Sequence, residues 1–421
     1  MRILWLKSDL LVPLDKGGRL RTWHLLRHLA ARHEISYLAF AESGTPASSL
    51  RAMEDVADVV ETVTRDDAQK GSWKFAADAA VHLVDPLPYA VGKYRSREYA
   101  QRVRRLLAER AFDAVVCDFL CPIVNLPRRV PCPTVLFTHN VESEIWRRHA
   151  ETHTNPLMRV LYRQQYRRML RFERRSVARF DLVLAVSDAD RDTFARLYPA
   201  AINRPVHVIP TGVDATYFTP SGPPSRADGR SIVFTGSMDW LPNEDAMLFF
   251  CREVLPLVRA AEPEATLSIV GRAPTPAVQR LAAEQAVHVT GRVDDVRPYL
   301  EDATVFAVPL RIGGGTRLKI FEAMAMGKAV VSTSVGAEGL DVVPDVHVRL
   351  ADDPRSFADT IVALFRDVER RRQIEQAGRA LVIDRYDWSA VAVSLEQALA
   401  AAVNQPPQDA VHAAWRPLEG R

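Results

Sequence analysis

The sequence predicts an α/β protein made of two doubly wound domains, and three observations carry that expectation. Short β-branched runs alternate with longer segments of helical period, the runs are almost continuously apolar, and the rhythm stops once near mid-chain and restarts. Continuous apolar runs suit parallel strands buried on both faces, which require helical crossovers between them. A chain of 421 residues is long enough for two or three domains, each burying its own core.

In the first half the expected strands are Arg2–Leu6, Ile35–Phe40, Ala114–Cys117, Thr134–Phe137, Leu182–Val186 and Val206–Ile209. Leu20, Trp23, Leu26 and Ala30 recur at helical spacing and predict a helix over Arg19–Arg32. Residues 211–230 are rich in Pro, Gly and Ser without apolar period, which marks a linker. Strands then resume at Ile232–Thr235, Thr266–Val270, Val287–Thr290, Thr304–Val308, Ala329–Thr333 and His347–Leu350. Pro354–Val403 reads as amphipathic helix with Trp388 and Leu395 among its apolar positions, and Asn404–Gln408 ends it ahead of a tail. The expected division is 1–210, a linker at 211–230, 231–380, and a C-terminal helix and tail at 381–421 packing back toward the first domain.

Composition excludes several classes. Lys+Arg number 55 against 52 Asp+Glu, a net charge of +3, too near neutral for a nucleic-acid coat. No run reaches the roughly 18 apolar residues of a spanning helix, and Met1–Asp9 is apolar too briefly for a signal peptide. Cys117, Cys121, Cys132 and Cys251 show no C-x-x-C spacing and no local His partners, so neither a disulfide scaffold nor a metal site is expected. The expected address is the cytoplasm.

The most informative segment is Pro309–Gly327. A buried strand ends at Val308, Gly313, Gly314 and Gly315 follow, and a helix begins near Thr316 with Gly327 as its stop. Glycines there let backbone N–H groups approach an anion at a helix N-terminus. Arg317 and Lys319 oppose the helix dipole in that first turn, and a bound diphosphate accounts for their presence. Glu322 lies on the same side of the helix as Lys319, and its carboxylate can accept two ribose hydroxyls. The plainer reading is a surface turn with a solvated Arg/Lys face. The segment is neither a Walker loop nor G-x-G-x-x-G, which counts against kinases and NAD enzymes.

A second glycine turn, Gly17-Gly18, follows the first strand and opens a helix. It is either a ligand-approach turn or a tight loop needing positive φ. Past the strand Thr134–Phe137, His139 and Asn140 project beyond the carboxyl end of the sheet, where ligands of open α/β sheets bind. The run 147–179 holds ten arginines against Glu151 and Glu173, with Leu157, Leu161, Met169 and Phe172 giving it an amphipathic cast. It reads as a solvated helix face or as a surface attracted to anionic lipids. Nucleic-acid binding ranks below both, because aromatic interleaving is sparse.

These residues together resemble the GT-B glycosyltransferases, and within them the retaining glycosyltransferase family 4. The resemblance runs through Gly17-Gly18, Thr138-His139-Asn140, Leu184–Ser187, Val208–Asp214, Gly291-Arg292-Val293, Pro309–Gly327 and Ser334-Val335-Gly336. It implies two Rossmann-like domains facing across a cleft, an acceptor on 1–210 and a nucleotide-sugar donor, UDP- or GDP-linked, on 231–380. Transfer would need neither cofactor nor metal and would serve polysaccharide or glycolipid assembly, with a sugar or lipid-linked acceptor. Peripheral contact with the inner face of a membrane through 147–179 would fit such an acceptor.

By position, Glu322 matches the ribose-binding glutamate and Val293 the place where backbone meets the base. Gly17 and Gly18 match the turn near donor phosphates and acceptor, and His139 the histidine beside the donor sugar. Two family features are missing. Eight residues before Glu322, where a second glutamate often contacts the sugar, stands Gly314, and Thr235–Trp240 lacks the usual basic pair. The diphosphate charge then falls to Lys319 and Arg317, with Arg272, Thr316 and the N–H groups of Gly313–Gly315 in support. Two other readings of the same scaffold are a nucleotide-sugar epimerase and a non-catalytic nucleotide-sugar-binding protein.

Overall fold

A computed structural model describes residues 1–66, 85–153, 155–199, 206–222, 229–284, 286–312 and 318–404. The chain divides into two compact units, Met1–Pro210 with the residues from Ala392 onward, and Thr211–Val391.

The first unit holds a seven-stranded sheet: β1 (Arg2–Leu6), β2 (Glu34–Ala41), β3 (Val59–Thr64), β4 (Ala114–Asp118), β5 (Thr134–Phe137), β6 (Leu182–Ala185) and β7 (His207–Val208). Every pairing is parallel and the order is β3-β2-β1-β4-β5-β6-β7. The core strands are apolar on both faces: Ile3 to Leu6 and Val135 to Phe137 are fully buried. β3 is a strand that apolar runs do not reveal. As Val-Val-Glu-Thr-Val-Thr it mixes polar with apolar residues and is mostly half-buried, because it is an edge strand whose Glu61 meets Arg102 and Arg105.

The second unit holds a six-stranded parallel sheet: β8 (Ser231–Thr235), β9 (Thr266–Val270), β10 (Val287–Gly291), β11 (Val305–Val308), β12 (Ala329–Ser332) and β13 (Arg349–Leu350). Its order, β10-β9-β8-β11-β12-β13, repeats that of the first six strands of the other unit. In both sheets the winding reverses beside the first strand, at β1/β4 and at β8/β11. Such switch points leave a crevice beyond the strand carboxyl ends, the place where open α/β sheets take ligands.

The expected C-terminal helical stretch is three helices, Pro354–Arg366, Val368–Leu381 and Trp388–Val403, with Trp388 and Leu395 buried. Gly327 follows the helix Leu318–Ala325 with φ +65°, the left-handed stop expected of it. No helix among the described residues is long and apolar enough to cross a membrane. The four cysteines are free.

Candidate functional site

At the switch point of the first unit, β1 delivers Lys7 and β4 ends in Asp118, both buried. Lys7 Nζ lies 2.8 Å from Asp118 Oδ2, which also accepts from Trp5 Nε1 at 3.0 Å and Thr22 Oγ1 at 2.6 Å. The other oxygen, Oδ1, is 2.7 Å from His139 Nε2. Burial works against the Asp118 charge, but Lys7 and His139 outweigh it and hold the carboxyl well below its usual range. His139 moves the other way: burial lowers it to about 3 despite the attraction of Asp118, with Arg21 and Lys7 adding repulsion. The imidazole is therefore neutral at physiological pH.

The ring of His139 is clamped. Phe119 stacks on it at 3.9 Å and 5°, and Phe137 meets it edge-on at 5.1 Å. Phe119 adopts φ +71°, an uncommon left-handed conformation for an aromatic residue, which recurs at functional sites. Gly18 explains its own identity here, since a Cβ would come within 3.1 Å of the Phe119 ring and 3.6 Å of His139 Nδ1. The loop reading of Gly17-Gly18 is corrected: neither has positive φ, and both form the first turn of the helix Gly17–Ala30. Gly17 faces open space.

A cavity of about 360 Å³, within the roughly 300–1,000 Å³ of small-ligand sites, opens beside this network, with Lys7, Asp9, Gly18, Phe119, Glu142 and Met169 in its walls. Burial, together with the nearby Glu173, raises Glu142 to about 7. Glu173, from the helix Pro156–Arg179, itself accepts the backbone N–H groups of Glu142 and Ser143 and the Tyr198 hydroxyl, fixing the helix start after His139.

In the second unit the switch point is built by glycine. Gly271 has φ +151°, and a Cβ there would sit 1.8 Å from Gly236 O, so the ends of β8 and β9 approach closer than any side chain allows. Lys319 Nζ reaches this loop: it donates to Asn243 Oδ1 at 2.9 Å and lies 4.0 Å over the Phe234 ring. Asn243, buried, donates to Ser237 O at 2.8 Å. Arg272, exposed, donates to Ser237 Oγ at 2.9 Å. Lys319 and Arg272 thus both contact the loop that lacks its own basic pair.

Glu322 lies one turn beyond Lys319 on Leu318–Ala325. Partly buried and without a hydrogen-bond partner among the described residues, it is raised to about 7 by desolvation, with Lys319 pulling the other way. Val293, partly buried, follows β10. Gly313, Gly314, Gly315, Thr316 and Arg317 lie outside the described residues. Among the described residues no group of three or more His, Cys, Asp and Glu side chains is placed to hold a metal.

The sequence pattern alone does not single out Lys7, Trp5, Thr22, Asp118, Asn243 and Ser237. A charged residue closing a buried run, as in Leu-Trp-Leu-Lys7 or Val-Val-Cys-Asp118, is the signal the sequence carries for two of them.

The arginine run divides into paired or buried members and exposed ones. Arg147 is paired with Glu144 and Glu151, and Arg179 is buried and donates to Pro127 O. Arg159, Arg163, Arg167, Arg171, Arg174 and Arg175 are exposed and form no ion pair among the described residues. Met169 and Phe172 pack inward, whereas Leu157 is 79% and Val160 66% exposed.

Residues 16–217 match the family model described as Glycosyltransferase Family 4, and residues 229–367 the model described as Glycosyl transferases group 1. The chain is 31% identical over 264 residues to the D-inositol 3-phosphate glycosyltransferase of Xylanimonas cellulosilytica, covering 56% of this chain and 60% of the relative. It is 31% identical over 250 residues to the alpha-maltose-1-phosphate synthase of Mycolicibacterium smegmatis, covering 52% and 63%. The matched stretches thus span about three fifths of these curated relatives. Among solved structures, Anabaena Alr3699/HepE in complex with UDP superposes with a TM-score of 0.65 at 16% identity, over 95% of this chain and 100% of that one, a likeness of fold.

Proposed function

Because the chain belongs to the GT-B glycosyltransferases of the family-4 type, we propose that it moves a sugar from a nucleotide diphosphate sugar to an acceptor hydroxyl with retention. The observation that carries this reading is the convergence of Lys319 and Arg272 on the Gly236–Ser237 loop, one helical turn from the carboxyl of Glu322, which has no hydrogen-bond partner among the described residues. Two cations and backbone N–H groups suit a diphosphate, and a carboxylate beside them suits a ribose. The UDP complex of the Anabaena neighbour supports a UDP-sugar, with a GDP-sugar as the other expected donor.

In this reading Glu322 holds the ribose, Val293 meets the base, and Lys319, Arg317 and Arg272 face the diphosphate. The N–H groups of Gly313, Gly314 and Gly315, with Thr316, supplement them. Cations aimed at the leaving diphosphate stabilise the charge that develops there, the largest single term in such chemistry. No second carboxylate stands at Gly314 to act as a nucleophile, which favours front-face transfer, the leaving diphosphate taking the acceptor proton. His139 orients the sugar, because an imidazole held near 3 is too weak a base to take a proton near neutral pH. The acceptor, a sugar or a lipid-linked sugar, belongs to the first unit, whose cavity adjoins Gly18. The exposed arginines of Pro156–Arg179, with Leu157 and Val160 beside them, suit peripheral contact with an anionic lipid surface.

The test is a thermal-shift panel of UDP-, GDP-, ADP- and TDP-sugars followed by a product assay with the stabilising donor. A ligand at 100 times its Kd stabilises by about 2.7 kcal/mol. Sugar transferred only when an acceptor is supplied supports the reading. Conversion of donor alone into an isomer would mean an epimerase, and binding without turnover a non-catalytic protein. The relatives reported above are named for transfer and synthesis, which supports the transferase reading over those two.

A further inference from the structure

We propose that Asp118, together with Lys7, is the positioning residue that fixes His139 in its Nε2–H tautomer, so that Nδ1 stands beside Gly18 as a hydrogen-bond acceptor for a substrate hydroxyl. The sugar as occupant rests on the transferase reading above; the tautomer does not.

The geometry decides which nitrogen carries the proton. Asp118 is buried with Lys7 Nζ at 2.8 Å, so its carboxyl is ionised and can only accept. His139 Nε2, 2.7 Å from Oδ1, must then be the donor. A second proton on the ring is disfavoured, because Lys7 already balances the Asp118 charge and the buried Arg21 guanidinium lies 4.2 Å over the neighbouring Phe137 ring. Nδ1 is left with its lone pair. It has no hydrogen-bond partner among the described residues, and it lies on the side where Gly18 carries no side chain. A neutral acceptor there selects a hydroxyl over a phosphate or carboxylate oxygen, which has no proton to give.

Oδ2 explains why an amide cannot replace the carboxylate. Trp5 Nε1, Thr22 Oγ1 and Lys7 Nζ all converge on it as donors. In Asp118→Asn the amide oxygen takes that place, and the amide NH₂ turns toward His139. Nε2 must then accept, the proton moves to Nδ1, and the face beside Gly18 changes from acceptor to donor.

The test is long-range ¹H–¹⁵N NMR of the full chain with labelled histidine, the His139 signals being assigned by their loss in His139→Gln. Wild type is expected to show a neutral ring protonated at Nε2. Asp118→Asn is expected to show protonation at Nδ1, an unchanged Kd for UDP (or GDP, whichever nucleotide the panel selects) and at least a tenfold weaker Kd for the matching nucleotide sugar. A wild-type ring protonated at Nδ1, or at both nitrogens, would overturn the proposal even if Asp118→Asn does not fold. So would an Asp118→Asn protein that keeps the Nε2–H tautomer. If the tautomers are as stated but UDP-sugar and UDP lose affinity equally or not at all, the occupant assigned to Nδ1 is wrong. Failure of the chain to transfer sugar leaves the tautomer readings intact.

Discussion

Two carboxyls and one imidazole show how far burial moves single residues here. Glu322 is raised to about 7 by desolvation, so near neutral pH it is partly protonated in the free protein. Ribose hydroxyls donating to it favour the charged form, and nucleotide binding at pH 6.5 is expected to release protons. Calorimetry in buffers of different ionisation heat should then give different apparent enthalpies. Glu322→Gln should reduce that dependence, leaving only the share of the ligand's own terminal phosphate, and weaken nucleotide affinity roughly 10- to 100-fold, since hydrogen bonds to charged groups contribute about 1.5–3 kcal/mol. A buffer-independent enthalpy in wild type would remove Glu322 from the ribose.

His139 carries a stability signature of opposite sense. Its folded value, about 3, lies below its unfolded value of 6.5, so the unfolded chain binds the extra proton between those limits and stability is lost as pH falls through that window. Glu142 and Glu322, both raised to about 7, act with the opposite sign, favouring the fold as pH falls toward 4.5. The comparison is therefore between proteins: moving from pH 7.5 to 5.5 should lower the urea midpoint more in wild type than in His139→Gln. Equal changes would mean that His139 is not buried as a neutral ring.

His139 and Glu322 were legible in the sequence because each stands at a fixed distance from a strand end or a glycine run. Asp118 was not, because what gives it meaning, Trp5, Lys7 and Thr22 on one side and His139 on the other, lies 96 to 113 and 21 residues away. The parallel pairings of β1 with β4 and of β4 with β5 bring them together.

Among the elements, the strand ends do most of the positioning. The β8–β9 approach depends on Gly271, and Gly271→Ala would set a methyl 1.8 Å from Gly236 O. The variant is expected to lose roughly 3 kcal/mol or more of stability, as strained and overpacked positions do, and nucleotide binding with it. A fully stable Gly271→Ala with normal affinity would mean that the loop carrying Ser237 and Arg272 is not built on this contact. β3 shows the converse limit on reading elements from sequence. A half-covered edge strand carries polar residues such as Glu61, Thr62 and Thr64, and a search for continuous apolar runs passes over it.

The helix Pro156–Arg179 is the element whose exposed side the fold leaves unexplained. Its inward side, Met169, Phe172 and Val177, belongs to the core of the first unit. Polybasic attraction decays within about 8 Å at physiological ionic strength. Co-sedimentation with phosphatidylserine vesicles should therefore fall steeply with salt, and should be lost on changing Arg167, Arg171, Arg174 and Arg175 to Gln. Equal and negligible binding to anionic and neutral vesicles would make this a solvated face and a soluble acceptor the better expectation.

At the scale of the whole chain, the same strand order occurs twice, and each copy carries polar side chains at its own switch point. The first copy offers a neutral imidazole clamped between aromatic rings; the second offers cations and a carboxyl suited to a nucleoside diphosphate. This division of chemistry is the central claim, and Lys319 tests it most directly. Calorimetric titration of wild type and Lys319→Ala should use the nucleoside diphosphate selected by the thermal-shift panel and, separately, its bare nucleoside. Lys319→Ala is expected to lose at least tenfold in affinity for the diphosphate with no change for the nucleoside. Equal affinity of both proteins for the diphosphate, or equal losses for the two ligands, would contradict it.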